Sequence, residues 1–462
     1  MGSSSAKSFA IIGGGVTGLT AAWRLHRDGH RVTVFERAPQ PGGAVLSHAQ
    51  DGWLVEAGPN SIQETPEVTT LINELGLGRE RVVVNPIARN RFIVRDGRLV
   101  PVPLSPPGFL VSPLFSWRTR FKVLRELLFR PRVRTTDISL ASLIAAHFGQ
   151  ELVDYGLNPL VAGVYAGDPD KLSARYAFPN LWQLERRHGS LLRGFRAQAA
   201  ERKARGEASG MVPIVSFERG LHTLPVALAA ALPAGSVRTG ASVTSLIPGR
   251  PWKIIWNETD SVQSAEFDSV LLAVPAPALG SLVFGTLGER PLASLDHLPQ
   301  PPVSSLFLGF RREQVAHPLD GFGALLPARE RRSLLGVLFS STLFPGRAPE
   351  GHVALTIFAG GMRQPDAGRL ATPELLARVL PDLRQLLGIT GDPVFTHHTL
   401  WPKAIPQYNV GHDRFLEPLT QCENRHNGLF IGGNSRDGIS LPDCIRSGQK
   451  LAARAAEYAG KS

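Results

Sequence analysis

Short apolar runs, each closed by glycine or proline, alternate along this chain with stretches of helical periodicity. Residues 9–18, FAIIGGGVTG, begin as a run short enough for a buried strand and pass into a helical stretch with Ala22 and Leu25 on one face. Gly29 ends that helix, and residues 31–35, RVTVF, predict a second strand finishing at Glu36. Alternation in ARNRFIV, the turn pair Asp96-Gly97 and the following RLVPV predict a hairpin over residues 89–102. Further strands are expected around Val243 (SVRTGASVTSL), at 267–275 (FDSVLLAVP) and at 429–433 (LFIGG), with helices over 117–130 and 442–458. One stretch stands apart: PLVAGVYAGDP, residues 159–169, sets Ala162, Gly163, Ala166 and Gly167 around Tyr165, with no charge before Asp168. Its missing side chains leave room that something must fill.

The first strand, helix and second strand carry Gly13-x-Gly15-x-x-Gly18 at their first turn and Glu36 at their end. In such a βαβ unit Gly13 permits the tight turn and Gly15 lets a pyrophosphate approach the backbone. Gly18 allows the helix to pack close on the strand, and the helix N-terminus offers partial positive charge to the phosphates. Glu36, with Arg37 beside it, lies 23 residues after Gly13, where a carboxylate accepts hydrogen bonds from ribose hydroxyls. The same carboxylate would repel the extra phosphate of NADP. A bound dinucleotide is therefore expected.

Composition narrows the class. Of 462 residues, 43% are hydrophobic and 19% charged, which fits an ordered chain with a large core. Two cysteines, Cys422 and Cys444, are too few for a disulfide framework and point to a reducing compartment. No apolar run reaches the roughly 18 residues of a spanning helix, and MGSSSAKS has no signal-peptide core. The 13 histidines stand in no metal-ligand spacing, so no metal is expected.

The net charge of +11 is concentrated: residues 118–134 and 186–205 carry +6 each, leaving −1 for the rest. Within the first segment Trp117, Phe121, Leu124 and Leu128 follow at spacings of 4, 3 and 4, among Arg118, Arg120, Lys122, Arg125 and Arg130. FLVSPLF precedes them at 109–115. This is the composition of an interfacial helix on an anionic membrane surface. The plainer reading is a helix packed on its own domain with a solvated basic face. Aromatic side chains are too sparse for a nucleic-acid stacking platform, so no nucleic acid is expected. The expectation is a cytoplasmic protein, peripherally attached to membrane.

Two sets of motifs carry a family resemblance. Glu36-x5-Gly42-Gly43, with Glu56-Ala-Gly58-Pro59-Asn60 beyond it, resembles the extended motif of the amine-oxidase and phytoene-desaturase class of flavoproteins, which implies FAD. Ala44 stands where many members place Arg or Lys, so no phosphate contact is assigned to it. PLVAGVYAGDPDKLS (159–173), FPNLWQLERRHGS (178–190), DGFGALLP (320–327), LLGVLFSSTLFPGRAP (334–349), IFAGGMR (357–363) and IPQYNVGH (405–412) are more specific. With GGNSRDGISLPDCIRSG (432–448), they make nearly the whole chain similar to the protoporphyrinogen IX oxidase family.

With the predicted elements, the resemblance implies an α/β fold in three parts. A Rossmann-like FAD-binding domain would be assembled from three chain segments, 1–85, 214–285 and 423–462. An α+β substrate domain would take 86–100 and 286–422, and a mainly helical, membrane-associated insertion 101–213. The implied reaction is oxygen-dependent oxidation of protoporphyrinogen IX to protoporphyrin IX in haem biosynthesis. Six electrons leave in three rounds of hydride transfer to FAD, and dioxygen is reduced to hydrogen peroxide. Such a tetrapyrrole needs an apolar slot and a cation for its propionates, for which Arg is better suited than Lys.

By resemblance Arg91 binds a propionate, Leu326, Leu338 and Phe358 clamp the macrocycle, and Gly163 lets the backbone approach it. Cofactor contacts are implied for Gly13, Gly15, Gly18, Glu36, Arg37, Gly42, Gly43, Gly58, Pro59, Asn60, Val243, Trp401, Gly433, Asn434, Ile439, Ser440 and Leu441. No general base is evident, and a flavin can take hydride from an electron-rich macrocycle without one. Coproporphyrinogen III, which carries more propionates, stays open as substrate, with Arg89 and Arg95 as further candidate cations. A flavin amine oxidase, a non-catalytic tetrapyrrole-binding flavoprotein and a homodimer also stay open.

Overall fold

The computed structural model describes residues 6–129, 134–205, 212–259 and 261–461. Ser8–Ile12 is the middle strand of a five-stranded parallel sheet, ordered Val237–Thr239, Arg31–Glu36, Ser8–Ile12, Ser269–Leu272, Leu429–Ile431. The central strands are covered on both faces, which is why they read as continuous apolar runs. On one face the helices Val16–Arg27 and Leu441–Lys461 cross, burying Leu19, Leu25, Ile445, Leu451 and Ala455. Gly448 makes that crossing possible, because a Cβ there would strike the Thr17 carbonyl oxygen. The other face is covered by a four-stranded sheet ordered Ser261–Phe267, Trp252–Glu258, Ser242–Ile247, Val283–Phe284, through Leu246, Trp252, Ile254 and Trp256. Val243 lies in this second sheet, opposite Trp256.

The predicted hairpin forms, with Asn90–Arg95 antiparallel to Arg98–Pro101 and both turn residues, Asp96 and Gly97, at positive φ. It edges a seven-stranded sheet ordered Phe395–Trp401, Val303–Arg311, His352–Gly360, Gly336–Leu338, Gly321–Leu325, Asn90–Arg95, Arg98–Pro101. Helix Thr372–Leu387 seals one face, packing Leu375, Val379, Leu383 and Leu387 on Leu306, Leu308, Phe310, Leu355 and Ile357. The opposite face looks toward a mainly helical stretch running from Pro106 to Ala204.

One helix there differs from expectation, and another arises where no element was predicted. The basic helix spans Trp117–Glu126, ending short of residue 130, and Arg130 lies outside the described residues. The small-residue stretch is itself helical, Asn158–Tyr165, with Pro159 in its first turn and Ala166 at φ +48° as its left-handed end. Among the described residues no helix is long and apolar enough to cross a membrane.

Candidate active site

The parallel strands end in turns made almost wholly of backbone. Gly13 sits at φ +109°, where a Cβ would come within 2.6 Å of the Ala273 carbonyl oxygen. A Cβ on Gly18 would collide with the Gly13 carbonyl oxygen, so helix and strand meet only because both positions are glycine. Gly15 caps Val16–Arg27 with no side chain, and a Cβ there would meet nothing within 4 Å. Beside it the Gly42 N–H donates to the Gly14 carbonyl at 2.8 Å, and Gly43 faces the Gly15 Cα. The buried Glu36 carboxylate accepts from the Gly14 and Ala38 N–H groups, each at 2.8 Å, and so stands fixed at the strand end, with Arg37 exposed next to it.

Further along the groove, the Trp401 indole N–H donates to the Ala57 carbonyl at 2.8 Å, setting the ring against Gly58. Asn60 Nδ2 donates to the Gly58 carbonyl at 3.1 Å, with Pro59 half-buried between them. Gly433, at φ +103° with open space at its Cβ position, donates its N–H to Ser447 Oγ at 2.8 Å. Asn434 and the half-buried Ile439 follow, then Ser440, bonded to Asp443 at 2.6 Å, and Leu441 at the start of the last helix. An uncapped helix N-terminus, vacant Cβ positions at Gly15 and Gly433, and a fixed carboxylate fit an extended dinucleotide such as FAD.

Strand register decides what shares the free face of the seven-stranded sheet. Arg91, Gly323, Leu338 and Thr356 form one row across four strands; Ile93, Leu325, Gly336 and Phe358 form the next. Helix Asn158–Tyr165 packs over this face, its Leu160 and Val164 exposed along the same side as Gly163. The half-buried Arg91 guanidinium lies 5.3 Å from the Phe322 ring centroid and has no hydrogen-bond or carboxylate partner among the described residues. Arg95, by contrast, is committed: it donates to Glu151 at 2.9 Å and to the Leu114 carbonyl. Burial opposes ionisation of Glu151, but bonds from Ser116, Thr119 and Arg95 hold its pKa at about 2. Arg89 is exposed.

One expected role is corrected by this geometry. Leu326 is fully buried under the sheet with Phe92, Val337 and Phe339, and offers no surface to a ligand. Side chains alternate along a strand, so the residue facing the helix is Leu325. Gly163 is exposed, and the atom nearest to its Cβ position is Leu325 Cδ2 at 2.6 Å, so glycine also lets helix and strand close up there. Other residues carried no signal in the sequence. Glu56 and Arg347 form a buried pair at 3.2 Å behind the Gly58 turn. Burial raises the Glu56 pKa despite Arg347, and burial lowers that of Arg347. A cavity of about 640 Å³ is lined by Ser440, Pro442, Asp443 and Arg446 on one side and by Phe178, Pro179 and Leu181 on the other; Arg91, Leu338 and Phe358 are not among its walls.

The family model of flavin containing amine oxidoreductases matches residues 16–456. The chain is accordingly an FAD-dependent oxidoreductase. It is 34% identical over 478 residues to protoporphyrinogen oxidase 2 (chloroplastic/mitochondrial) of Arabidopsis thaliana, covering 97% of this chain and 93% of the relative. Coproporphyrinogen III oxidase of Bacillus subtilis strain 168 is 28% identical over 473 residues, with 98% of each chain covered. A solved structure described as a protoporphyrinogen oxidase from Exiguobacterium sp. 255-15 superposes with a TM-score of 0.82 at 26% identity, over 98% of this chain and 99% of that one. The chain belongs to the protoporphyrinogen oxidase family.

Proposed function

We propose that this protein oxidises protoporphyrinogen IX to protoporphyrin IX on the free face of the seven-stranded sheet. The observation that carries the reading is Arg91. Among the described residues its guanidinium has no hydrogen-bond or carboxylate partner, and it shares two rows with Leu325, Leu338 and Phe358, under the exposed Leu160 and Val164. A flat apolar ring with carboxylates on one edge suits that combination: the apolar side chains exclude water from the ring, and Arg91 fixes its orientation through a propionate. FAD, when bound, supplies the two-electron acceptor for each of three rounds and is restored by dioxygen with release of hydrogen peroxide. Thr356, in the Arg91 row, is buried and bonded to Ser340 at 2.8 Å, so at that position the face presents no titratable group to the ring. Orientation and dryness are then the chain's contributions.

The domain division at 1–85, 214–285 and 423–462 for cofactor, 86–100 and 286–422 for substrate, and 101–213 for membrane contact is part of the same proposal. The basic helix supports the last element. Trp117, Phe121, Leu124 and Leu128 are 70%, 62%, 56% and 77% exposed, with Arg118, Lys122 and Arg125 in solvent beside them. Its inward side buries Thr119 and Glu126, with Val123 packed beside them on the helical core. A helix with its apolar side outward and cations around it suits an anionic bilayer surface.

Substitution of Arg91 by Ala removes a charge-assisted contact, which corresponds to about a 10- to 100-fold rise in KM for protoporphyrinogen IX with the flavin spectrum intact. Steady-state kinetics check this, and an unchanged KM would remove Arg91 from the site. A larger effect on coproporphyrinogen III than on protoporphyrinogen IX would favour the four-propionate substrate.

A further inference from the structure

The segment IPQYNVGH, residues 405–412, supplies none of the cofactor or ring contacts described above, yet it is bonded on both flanks. On one side Gln407, fully buried, donates Nε2 to the Tyr165 carbonyl at 2.8 Å, and the Tyr408 carbonyl accepts from the Ser173 N–H at 2.8 Å. The first bond holds it to the end of the helix over the ring face, the second to the segment that follows that helix. On the other side the Tyr408 hydroxyl donates to the Asn434 carbonyl at 2.6 Å and accepts from the Gly438 N–H at 2.9 Å. Tyr408 is buried, and its ring stacks on the His412 imidazole with centroids 4.2 Å apart and planes at 23°. Burial pushes the His412 pKa down to about 4, so both rings of the stack are neutral near pH 7.

The turn that the hydroxyl grips is also tied within itself: the Arg436 and Asp437 N–H groups donate to the Gly433 carbonyl at 3.0 and 2.9 Å, and the Asp437 carboxylate accepts from the Gly433 N–H at 3.2 Å. Gly433 and Gly438 at its ends both have positive φ, +103° and +115°. The space at the Gly433 Cβ position is vacant, on the side where the cofactor reading puts the dinucleotide. One phenol therefore joins the first and last parts of a glycine-bounded turn from behind. Removing its oxygen would leave the half-buried Asn434 carbonyl and Gly438 N–H without that partner, and loosen their side of the turn.

We propose that Tyr408 is a positioning residue for the flavin: its hydroxyl holds the 433–438 turn in the shape that receives the cofactor, acting through Asn434 and Gly438 without touching the ring. The inference rests on the assignment of that turn to FAD. The Tyr408→Phe variant keeps the ring, the stack and the volume. Its dissociation constant for FAD, measured by reconstituting deflavinated protein, should rise about tenfold, the usual scale for losing one such hydrogen bond. The gap in Tm between the FAD-bound and deflavinated forms should shrink, and para-aminophenylalanine at 408, which can donate and accept, should restore both. kcat should fall while KM for the porphyrinogen stays near the wild-type value. A purely structural tyrosine would lower both Tm values equally and leave the FAD dissociation constant unchanged, which would overturn the proposal. Failure of the wild type itself to bind FAD would instead overturn the cofactor assignment beneath it.

Discussion

Leu325 and Leu326 show how much one residue of strand register decides. They are adjacent and chemically identical, but Leu326 is sealed beneath the seven-stranded sheet while Leu325 meets the helix at Gly163. The motif DGFGALLP marks the neighbourhood without revealing which leucine faces which way, because a bulge between Gly321 and Gly323 shifts the alternation. The two Ala variants should therefore separate. Leu326→Ala should cost roughly 2–5 kcal/mol of stability, as for a buried leucine in a packed core, with KM unchanged. Leu325→Ala should raise KM for the porphyrinogen with a smaller loss in Tm. Equal behaviour of the two in both assays would refute the assigned register. The turn formed by Gly13, Gly15 and Gly18 was legible from sequence for the opposite reason: it depends on residue type and spacing along one short unit, whereas Arg91 was singled out only by the family resemblance.

At the scale of elements, the basic helix was readable as an amphipathic unit, but its polarity was not. The reason is a buried cluster assembled from distant parts of the chain. His147 is within 2.8 Å of Glu126 and 3.1 Å of Glu185, and Arg134 binds Glu185 through two bonds of 2.7 and 2.8 Å. Glu126 also accepts from Ser190 at 2.7 Å. This cluster turns the helix's carboxylate inward and its apolar side outward. Burial disfavours the charged imidazole, but the two carboxylates outweigh it and raise the His147 pKa. Burial likewise opposes the Glu185 carboxylate, and His147 and Arg134 hold its pKa at about 2.

The pH dependence of stability follows from those directions. The His147 contribution is complete below its unfolded pKa of about 6.5 and is lost as pH rises through the higher folded value. The contribution of Glu185 is present above its unfolded value of about 4.3 and is lost as pH falls toward its folded one. Both are complete only between about pH 4.5 and 6.5. Tm should therefore fall from pH 6 to pH 9, and His147→Gln should flatten that limb. An unchanged slope in the variant would show that the imidazole is not charged in the folded protein.

For the whole molecule, the order of strands explains what the sequence could and could not tell. The parallel sheet takes strands from 8–36, 237–272 and 429–431; those at 8–12, 31–36, 269–272 and 429–431 were visible as short runs, whereas Val237–Thr239 was not separated from the expected strand around Val243. The pairing of those stretches across hundreds of residues, and of the hairpin with Gly321–Leu325, depends on tertiary contacts that no local period encodes. The Glu56–Arg347 pair and the Tyr408 brace were hidden for the same reason. Membrane attachment also belongs to this scale. Wild-type protein should float with vesicles containing anionic lipid, and the Trp117→Ala, Phe121→Ala, Leu124→Ala triple variant should remain at the bottom with its flavin bound. Equal flotation of the two would sink the membrane assignment.

The central claim is that a porphyrinogen reduces the flavin of this protein. Purified holoprotein mixed anaerobically with protoporphyrinogen IX should lose its visible flavin absorbance and regain it on admission of oxygen, with protoporphyrin formed. Bleaching by an amine but by neither protoporphyrinogen IX nor coproporphyrinogen III, or by none of these, would contradict the account.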